Sequence, residues 1–406
     1  MRIGVISSGN IPSLWAHSIN TVKHANGFFD LNNDVEILTN QGLYELKNRL
    51  LIRDVHQFYD INKEIRIHYF NKNFFNYFQN YKVLNFFLSQ IKDRYPRLKK
   101  FRSPEEKIAK YSLNKFEFIY SRSYKGAFYC NKYKVPTVLE THTNLVNNPY
   151  LLKLFNLKEN QNQYFRGIVT IHKNLARKYS DRGFPIEKIL VLEDAVDLEK
   201  FDKVSDKKKE CRILTNLNMN KKIIMYCGSL KPGKGIPIIL KTAKRLKEYQ
   251  FVLVGGSKGV IKHWIKRLIR ENIRNVYFTG FIAPKFVPFY LKSADILIMP
   301  YDLTEKESIM DINTTSPLKL FEYMASKRPI ITTRIPTIEK IITNEVDAIL
   351  TKPNNLGGII YAIERLINDK KLAKKLTINA YEKATKFTYK KRCEMILKKF
   401  SYNRTN

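Results

Sequence analysis

Acidic residues are scarce in this chain: 37 Asp and Glu stand against 72 Lys and Arg, a net charge of +35 over 406 residues. That imbalance attracts anionic partners, whether nucleic acid, acidic lipid or phosphorylated substrates, without choosing among them. Cysteine is scarcer still. Cys130, Cys211, Cys227 and Cys393 are scattered and no pair has metal-ligand spacing, so free thiols in a reducing cytoplasm are expected. No apolar run approaches the ~20 residues that cross a bilayer, which leaves any membrane association peripheral. Met1-Arg2 leads straight into the strand-like IGVIS, so no signal peptide is visible. There is no Asp-x-Asp motif, no His/carboxylate cluster at metal spacing, no repeat and no low-complexity segment.

What is present is globular. Hydrophobic residues make up 44% and aromatics 13% of the chain, and the length suits two domains. Strand patterns fall at 2–7, 34–39, 66–70, 116–121, 137–142, 167–172 and 188–194. Helical patterns lie between most of them, as at His17–Phe29 and Lys173–Arg182. The alternation restarts at 222–229, 251–256, 275–281, 295–300 and 328–333, with helices at 236–247, 260–271, 284–293 and 317–326. A last helical region runs from about 358 to 400. Strand and helix in alternation, with apolar strands, predict parallel sheets covered on both faces. The charged, weakly periodic 198–220 reads as a linker between two doubly wound α/β domains. Ligands in such sheets bind beyond the carboxyl ends of the strands, and in a two-domain arrangement those ends can face one another across a cleft.

The chain is organised around 313–330, NTTSPLKLFEYMASKRPI. Ser316 is a good N-cap and Pro317 suits the first helical position. Leu318, Phe321 and Ala325 mark a buried face, while Ser316, Lys319 and Glu322 fall three apart on another. The opening of the helix offers free N–H groups and partial positive charge to a phosphate, and Lys319 adds a full charge. Glu322, about a turn further on, could accept sugar hydroxyls. The same stretch reads equally as a capped helix with a solvated Lys and Glu. A second loop, Cys227-Gly228-Ser229-Leu230-Lys231-Pro232-Gly233-Lys234-Gly235, joins a strand to a helix. Its glycines let backbone amides approach oxygen-rich ligands, and Lys231 and Lys234 supply charge. It lacks the Walker A spacing; by itself it is a Gly/Pro turn. Gly255-Gly256 and Thr279-Gly280-Phe281-Ile282 end two further strands at the same predicted edge.

Taken together, SPLKLFEYMASKRPI, YCGSLKPGKGI, ADILIMP, LEDAVDLEKF and the N-terminal GNIPSLWAHSINTVKHANGFF resemble the retaining glycosyltransferases of family 4, across nearly the whole chain. The resemblance implies the GT-B fold: two Rossmann-like domains, here 1–198 for the acceptor and 199–385 for the nucleotide sugar, facing a cleft, with 386–406 crossing back at Phe387-Thr388-Tyr389. It implies that Glu322 binds the ribose hydroxyls. Lys234 and the amides at Pro317-Leu318-Lys319 would hold the diphosphate, joined in the donor site by Gly228, Ser229, Lys231, Gly256 and Ser316. Phe281 and Ile282 would flank the base. His142 matches a family histidine near the donor sugar and acceptor, and would orient a hydroxyl. Gly9 belongs to the loop near the phosphate and acceptor, and Asp194 and Asp197 to a structural hinge. Two departures stand out. Thr314 replaces the first of two glutamates, and Ser229 replaces a frequent arginine. Front-side attack, with the donor phosphate taking the acceptor proton, is the mechanism implied, with no metal and no cofactor.

Residues 74–115 combine aromatic and basic side chains, with ten Lys/Arg and three Asp/Glu from Tyr81 to Lys115. Such a segment suits either an anionic membrane surface or a packed helix with solvated lysines. The expectation is a cytoplasmic enzyme, peripheral at the inner membrane face, building a surface polysaccharide or lipopolysaccharide on a glycan or glycolipid acceptor. A non-enzymatic basic protein binding nucleic acid or membrane on the same scaffold is the alternative, although no nucleic-acid module is recognised and no nucleic-acid partner is expected. A catalytically degenerate scaffold of the same fold is a third reading.

Overall fold

The computed structural model describes residues 1–13, 16–41, 52, 54–71, 103–143, 147–155, 163–231, 233–303 and 318–401. Two compact units form, Met1–Leu192 with Tyr389–Asn406, and Glu193–Thr388.

The first unit holds a seven-stranded sheet of β1 (Arg2–Ile6), β2 (Asp34–Gln41), β3 (Arg66–Asn71), β4 (Phe118–Ser121), β5 (Thr137–Thr141), β6 (Phe165–Thr170) and β7 (Ile189–Val191), in the order β3-β2-β1-β4-β5-β6-β7. Every pairing is parallel. Strands such as β4 and β5 are buried along their whole length, as a sheet covered on both faces requires. The order reverses between β1 and β4. That switch point opens a crevice at the carboxyl ends of the strands.

The Tyr389–Phe400 helix belongs to this unit and packs on the Ala16–Phe29 helix. Close approach is possible because Gly27 has no side chain: a Cβ there would lie 2.9 Å from both the Tyr389 carbonyl oxygen and Cys393 Sγ. Further along, Phe400 packs onto Gly167 of β6, where a Cβ would meet its ring at 2.4 Å. Ile396 and Cys393 are completely buried between these contacts. Side chains of this size stabilise by about 1.5–3 kcal/mol each when fully buried.

The second unit holds β8 (Ile223–Cys227), β9 (Gln250–Val254), β10 (Val276–Gly280), β11 (Ile296–Met299), β12 (Ile330–Thr333) and β13 (Ile349–Thr351), ordered β10-β9-β8-β11-β12-β13 and again parallel. Its switch point lies between β8 and β11. The twelve predicted strands form; β13, the short run Ile349-Leu350-Thr351, is additional.

Two elements differ from expectation. The supposed linker 198–220 contains the Leu198–Asp202 and Lys208–Thr215 helices. Arg212, one of the charges that make the segment read as a linker, is buried and donates to Asp295 at 2.6 Å and to the Ser293 carbonyl at 2.9 Å. The final helical region is three helices, Leu356–Asn368, Lys370–Ala384 and Tyr389–Phe400. Asp369 breaks the first junction by accepting the Leu372 N–H as an N-cap at 2.9 Å. At the second, the Phe387 carbonyl leaves the helix to accept the Val196 N–H at 2.8 Å.

Candidate functional site

The second unit gathers its candidates at the β8–β11 switch point. Pairing between these strands stops at Met225 and Leu297. The next free donor, the Cys227 N–H, is taken by the Tyr323 hydroxyl at 2.8 Å. Tyr323 is completely buried in the Leu318–Ala325 helix, so this bond fixes the helix against the end of β8. Lys319 and Glu322, three residues apart on that helix, are thereby brought to the strand end. Gly228 accepts the contact: a Cβ on it would lie 2.7 Å from Lys319 Cε and 2.6 Å from the Tyr226 hydroxyl. The Cys227 thiol registers both charges. Burial pushes it up, Lys319 pulls it down and Glu322 pushes it up again.

Around this point three strand ends meet through glycine. Gly255, at φ +113°, sits against Gly228, whose carbonyl oxygen would be 2.2 Å from an added Cβ. The Gly255 N–H donates to the Gly280 carbonyl at 2.9 Å. Gly256 packs on Leu230, and Leu230 offers its carbonyl to Trp264 Nε1 at 3.0 Å. Ser229 and Lys231 are exposed on the loop. Lys234 lies half-buried with Nζ 5.5 Å above the Tyr301 ring. Phe281 and Ile282 follow β10 and line a groove of about 480 Å³ with Leu214, Phe286 and Tyr290. Leu318 is half-buried at the helix start, while Ser316, Pro317 and Thr314 lie outside the described residues.

The first unit holds the other two candidates, at its own switch point. Gly9 follows β1, and an added Cβ would lie 2.1 Å from His17 Nε2, so the imidazole rests directly on the loop. The loop is tied down by Thr39, which donates to the Gly9 carbonyl at 3.2 Å, and by Ser18, which donates to the Asn10 carbonyl at 2.8 Å. Burial, and then Arg122, lowers the His17 pKa. His142 stands one residue beyond β5 and hydrogen-bonds through Nε2 to Glu140.

Glu140 is the functional residue the sequence reading missed. Its carboxylate is buried, with Arg392 at 3.1 Å, His24 at 3.2 Å and Arg122 at 3.7 Å. Burial opposes its ionisation, but the surrounding partners, with the Arg392 guanidinium and the His142 hydrogen bond among them, outweigh burial and hold the carboxyl well below the usual range. The signal available was a lone acid within an apolar strand, Thr137-Val138-Leu139-Glu140. Arg392 carried none, standing in a run of lysines. Tyr323 was equally hidden, as one more aromatic residue on a buried helix face.

Residues 221–369 match the profile of the family described as Glycosyl transferases group 1. The match runs over the second unit's sheet from β8 to β13. The matched stretch thus contains the Lys319–Glu322 helix, the 227–235 loop and the strand ends around them. TuaH of Bacillus subtilis (strain 168), named for a glycosyltransferase of teichuronic acid biosynthesis, is 30% identical over 174 residues, 42% of this chain and 40% of that one. The glycosyltransferase MJ1178 of Methanocaldococcus jannaschii, whose function is uncharacterised, is 22% identical over 75% of this chain and 82% of its own length. The chain therefore spans about two fifths of the first relative and most of the second. Among solved structures, Anabaena HepE, in complex with UDP and glucose, superposes with a TM-score of 0.68 over 99% of both chains at 15% identity. Sucrose-phosphate synthase from Thermosynechococcus elongatus superposes at 0.67 over 98% of both, at 14% identity. The fold is GT-B. Among the described residues, no three His, Cys, Asp or Glu are grouped to hold a metal ion, and no helix is long and apolar enough to cross a membrane.

Proposed function

We propose that this chain is a retaining glycosyltransferase that moves a sugar from a nucleoside-diphosphate sugar to a hydroxyl of a glycan or glycolipid, without a metal ion. The observation that carries this is Lys319 held over Gly228, with the Glu322 charge acting on the adjoining Cys227, at the switch point of the unit that matches the group 1 family. An amine and a helix start face the place where a diphosphate would lie, and a carboxylate one turn on is placed to accept ribose hydroxyls. Lys234 is the second amine. Charge growing on the departing diphosphate is met by these fixed groups. The bond from the anomeric carbon to phosphate oxygen breaks. The acceptor oxygen bonds to that carbon on the same face, and its proton passes to the phosphate. His142 orients the incoming hydroxyl.

TuaH is named for teichuronic acid biosynthesis, which supports a polysaccharide or glycolipid product for this chain. The net charge of +35 supports a peripheral position at an anionic membrane face; flotation with anionic liposomes tests it, and absence of binding at modest salt refutes it. The decisive experiment is a thermal-shift panel of nucleoside diphosphates and their sugars, beginning with UDP and UDP-glucose because HepE was crystallised with UDP and glucose. One base is expected to stabilise the chain. No stabilisation by any nucleotide sugar would reject the reading. Product NMR then reports anomeric configuration, and turnover in chelator tests metal independence.

A further inference from the structure

The first unit contains a buried ion network that reaches solvent at His142. Glu140 lies near the end of β5 and His142 one residue beyond it, with His142 Nε2 turned back onto the Glu140 carboxylate. The Glu140 side chain has no exposure, and that of His142 is 19% exposed. Every residue of β5 is buried, and a buried carboxylate is costly unless it is well partnered.

The hydrogen bonds assign the protons. His24 Nδ1 lies 2.7 Å from the Asn20 carbonyl and therefore donates to it. His24 Nε2 lies 3.2 Å from Arg392 Nε, which can only donate, so Nε2 accepts. His24 thus has no proton to give Glu140. The partners that donate to Oε1 are Arg392, at 3.1 Å, and His142 Nε2. Arg392 is itself fixed by the Leu192 carbonyl at 2.6 Å. A carboxylate beside a permanent guanidinium only accepts, so His142 keeps its proton on Nε2. Its Nδ1 makes no hydrogen bond to any described residue and is the atom left for a ligand.

We propose that Glu140 is the positioning residue of His142, and that Arg392 of the C-terminal helix completes the device by holding the carboxylate. The ring is locked with Nδ1 as its accepting atom, so a hydroxyl neighbouring the attacking one on the acceptor donates to Nδ1 and aims it, and the attacking hydroxyl keeps its own proton free for the donor phosphate. The proposal rests on the reading of His142 as the hydroxyl-orienting group. It also gives the returning helix a chemical role in addition to its packing role.

The first test needs no substrate. An imidazole N–H held by a buried carboxylate gives a far-downfield, slowly exchanging proton resonance. That signal, assigned by its loss in His142→Gln in chain labelled with 15N-histidine, is expected in the wild type and absent in Glu140→Met. Glu140→Gln keeps the accepting oxygen and removes the charge; it should fold and move the signal upfield, and it carries the test if Glu140→Met does not fold. The second test is turnover with the nucleotide sugar selected by thermal shift. Glu140→Met should slow turnover about ten- to a hundredfold, by analogy with the loss of the carboxylate that orients a metal-bound histidine. Donor affinity should not change, and Glu140→Met should add no further loss to His142→Gln. An unchanged resonance in folded Glu140 variants, or wild-type turnover in Glu140→Met beside a slow His142→Gln, overturns the positioning role and leaves the reading of His142 intact. Wild-type turnover in His142→Gln overturns the reading beneath it.

Discussion

Gly228 lies directly beneath Lys319: a single methyl on the glycine would come within 2.7 Å of the lysine Cε. The absence of a side chain at the end of β8 lets the lysine side chain lie over the strand end.

Gly228→Ala should therefore damage both stability and donor binding. The lysine end could swing aside, but the buried Tyr226 hydroxyl, 2.6 Å from the new methyl and bonded to the Ser229 carbonyl at 2.9 Å, could not do so cheaply. A loss of about 1–3 kcal/mol is expected from overpacking. Denaturant unfolding measures the first effect and calorimetry with nucleotide sugar the second. An unaltered unfolding midpoint would show that the contact is relieved without cost.

Glu322→Ala and Lys234→Ala should each weaken nucleotide-sugar binding by about 1–3 kcal/mol, the loss of a charged hydrogen bond. Both side chains are only half-buried, so thermal stability without ligand should change little. Isothermal calorimetry with the selected donor is the measurement. Wild-type affinity in both variants would remove them from the site.

Tyr323→Phe deletes one oxygen and leaves the Cys227 N–H without its 2.8 Å partner in a buried position. The expected cost is about 1–3 kcal/mol of stability. Donor affinity should fall as well, because this bond seats the helix that carries Lys319 and Glu322. A variant that loses stability and keeps full affinity would show that the hydroxyl supports the fold alone.

Stability should fall as the solution is acidified, and His24 is one cause. Burial pushes its imidazole from 6.5 down to about 3, with Glu140 opposing and Arg392 and Arg122 adding. Between those values the unfolded chain binds a proton that the folded chain does not. Stability therefore drops with falling pH in that window, by ~1.4 kcal/mol per pH unit. Glu140 adds a second loss at lower pH, as its depressed carboxyl is finally protonated. Unfolding curves from neutrality to about pH 4 for wild type and His24→Gln check this. The variant cannot titrate at that position and should show a shallower slope; an identical slope would assign the acid sensitivity elsewhere.

Much of this protein was legible in order of residues alone. Apolar runs at strand length, with helical periods between them, specify parallel sheets through local chemistry, and twelve strands form where the pattern places them. Glycines and lysines at fixed spacing marked the ends of β8, β9 and β10 in the same way. The charged segment 198–220 misled because Arg212 becomes buried only by meeting Asp295, 83 positions away. The same limit hid the centre of the first unit. Nothing local distinguishes Arg392 from the lysines beside it in Tyr389-Lys390-Lys391-Arg392, yet folding brings it to Glu140 across 252 positions. Periodicity and turn chemistry act between near neighbours and are written in the sequence. Which buried charge finds which partner depends on how sheet and helices close around it, and that was decided only in three dimensions.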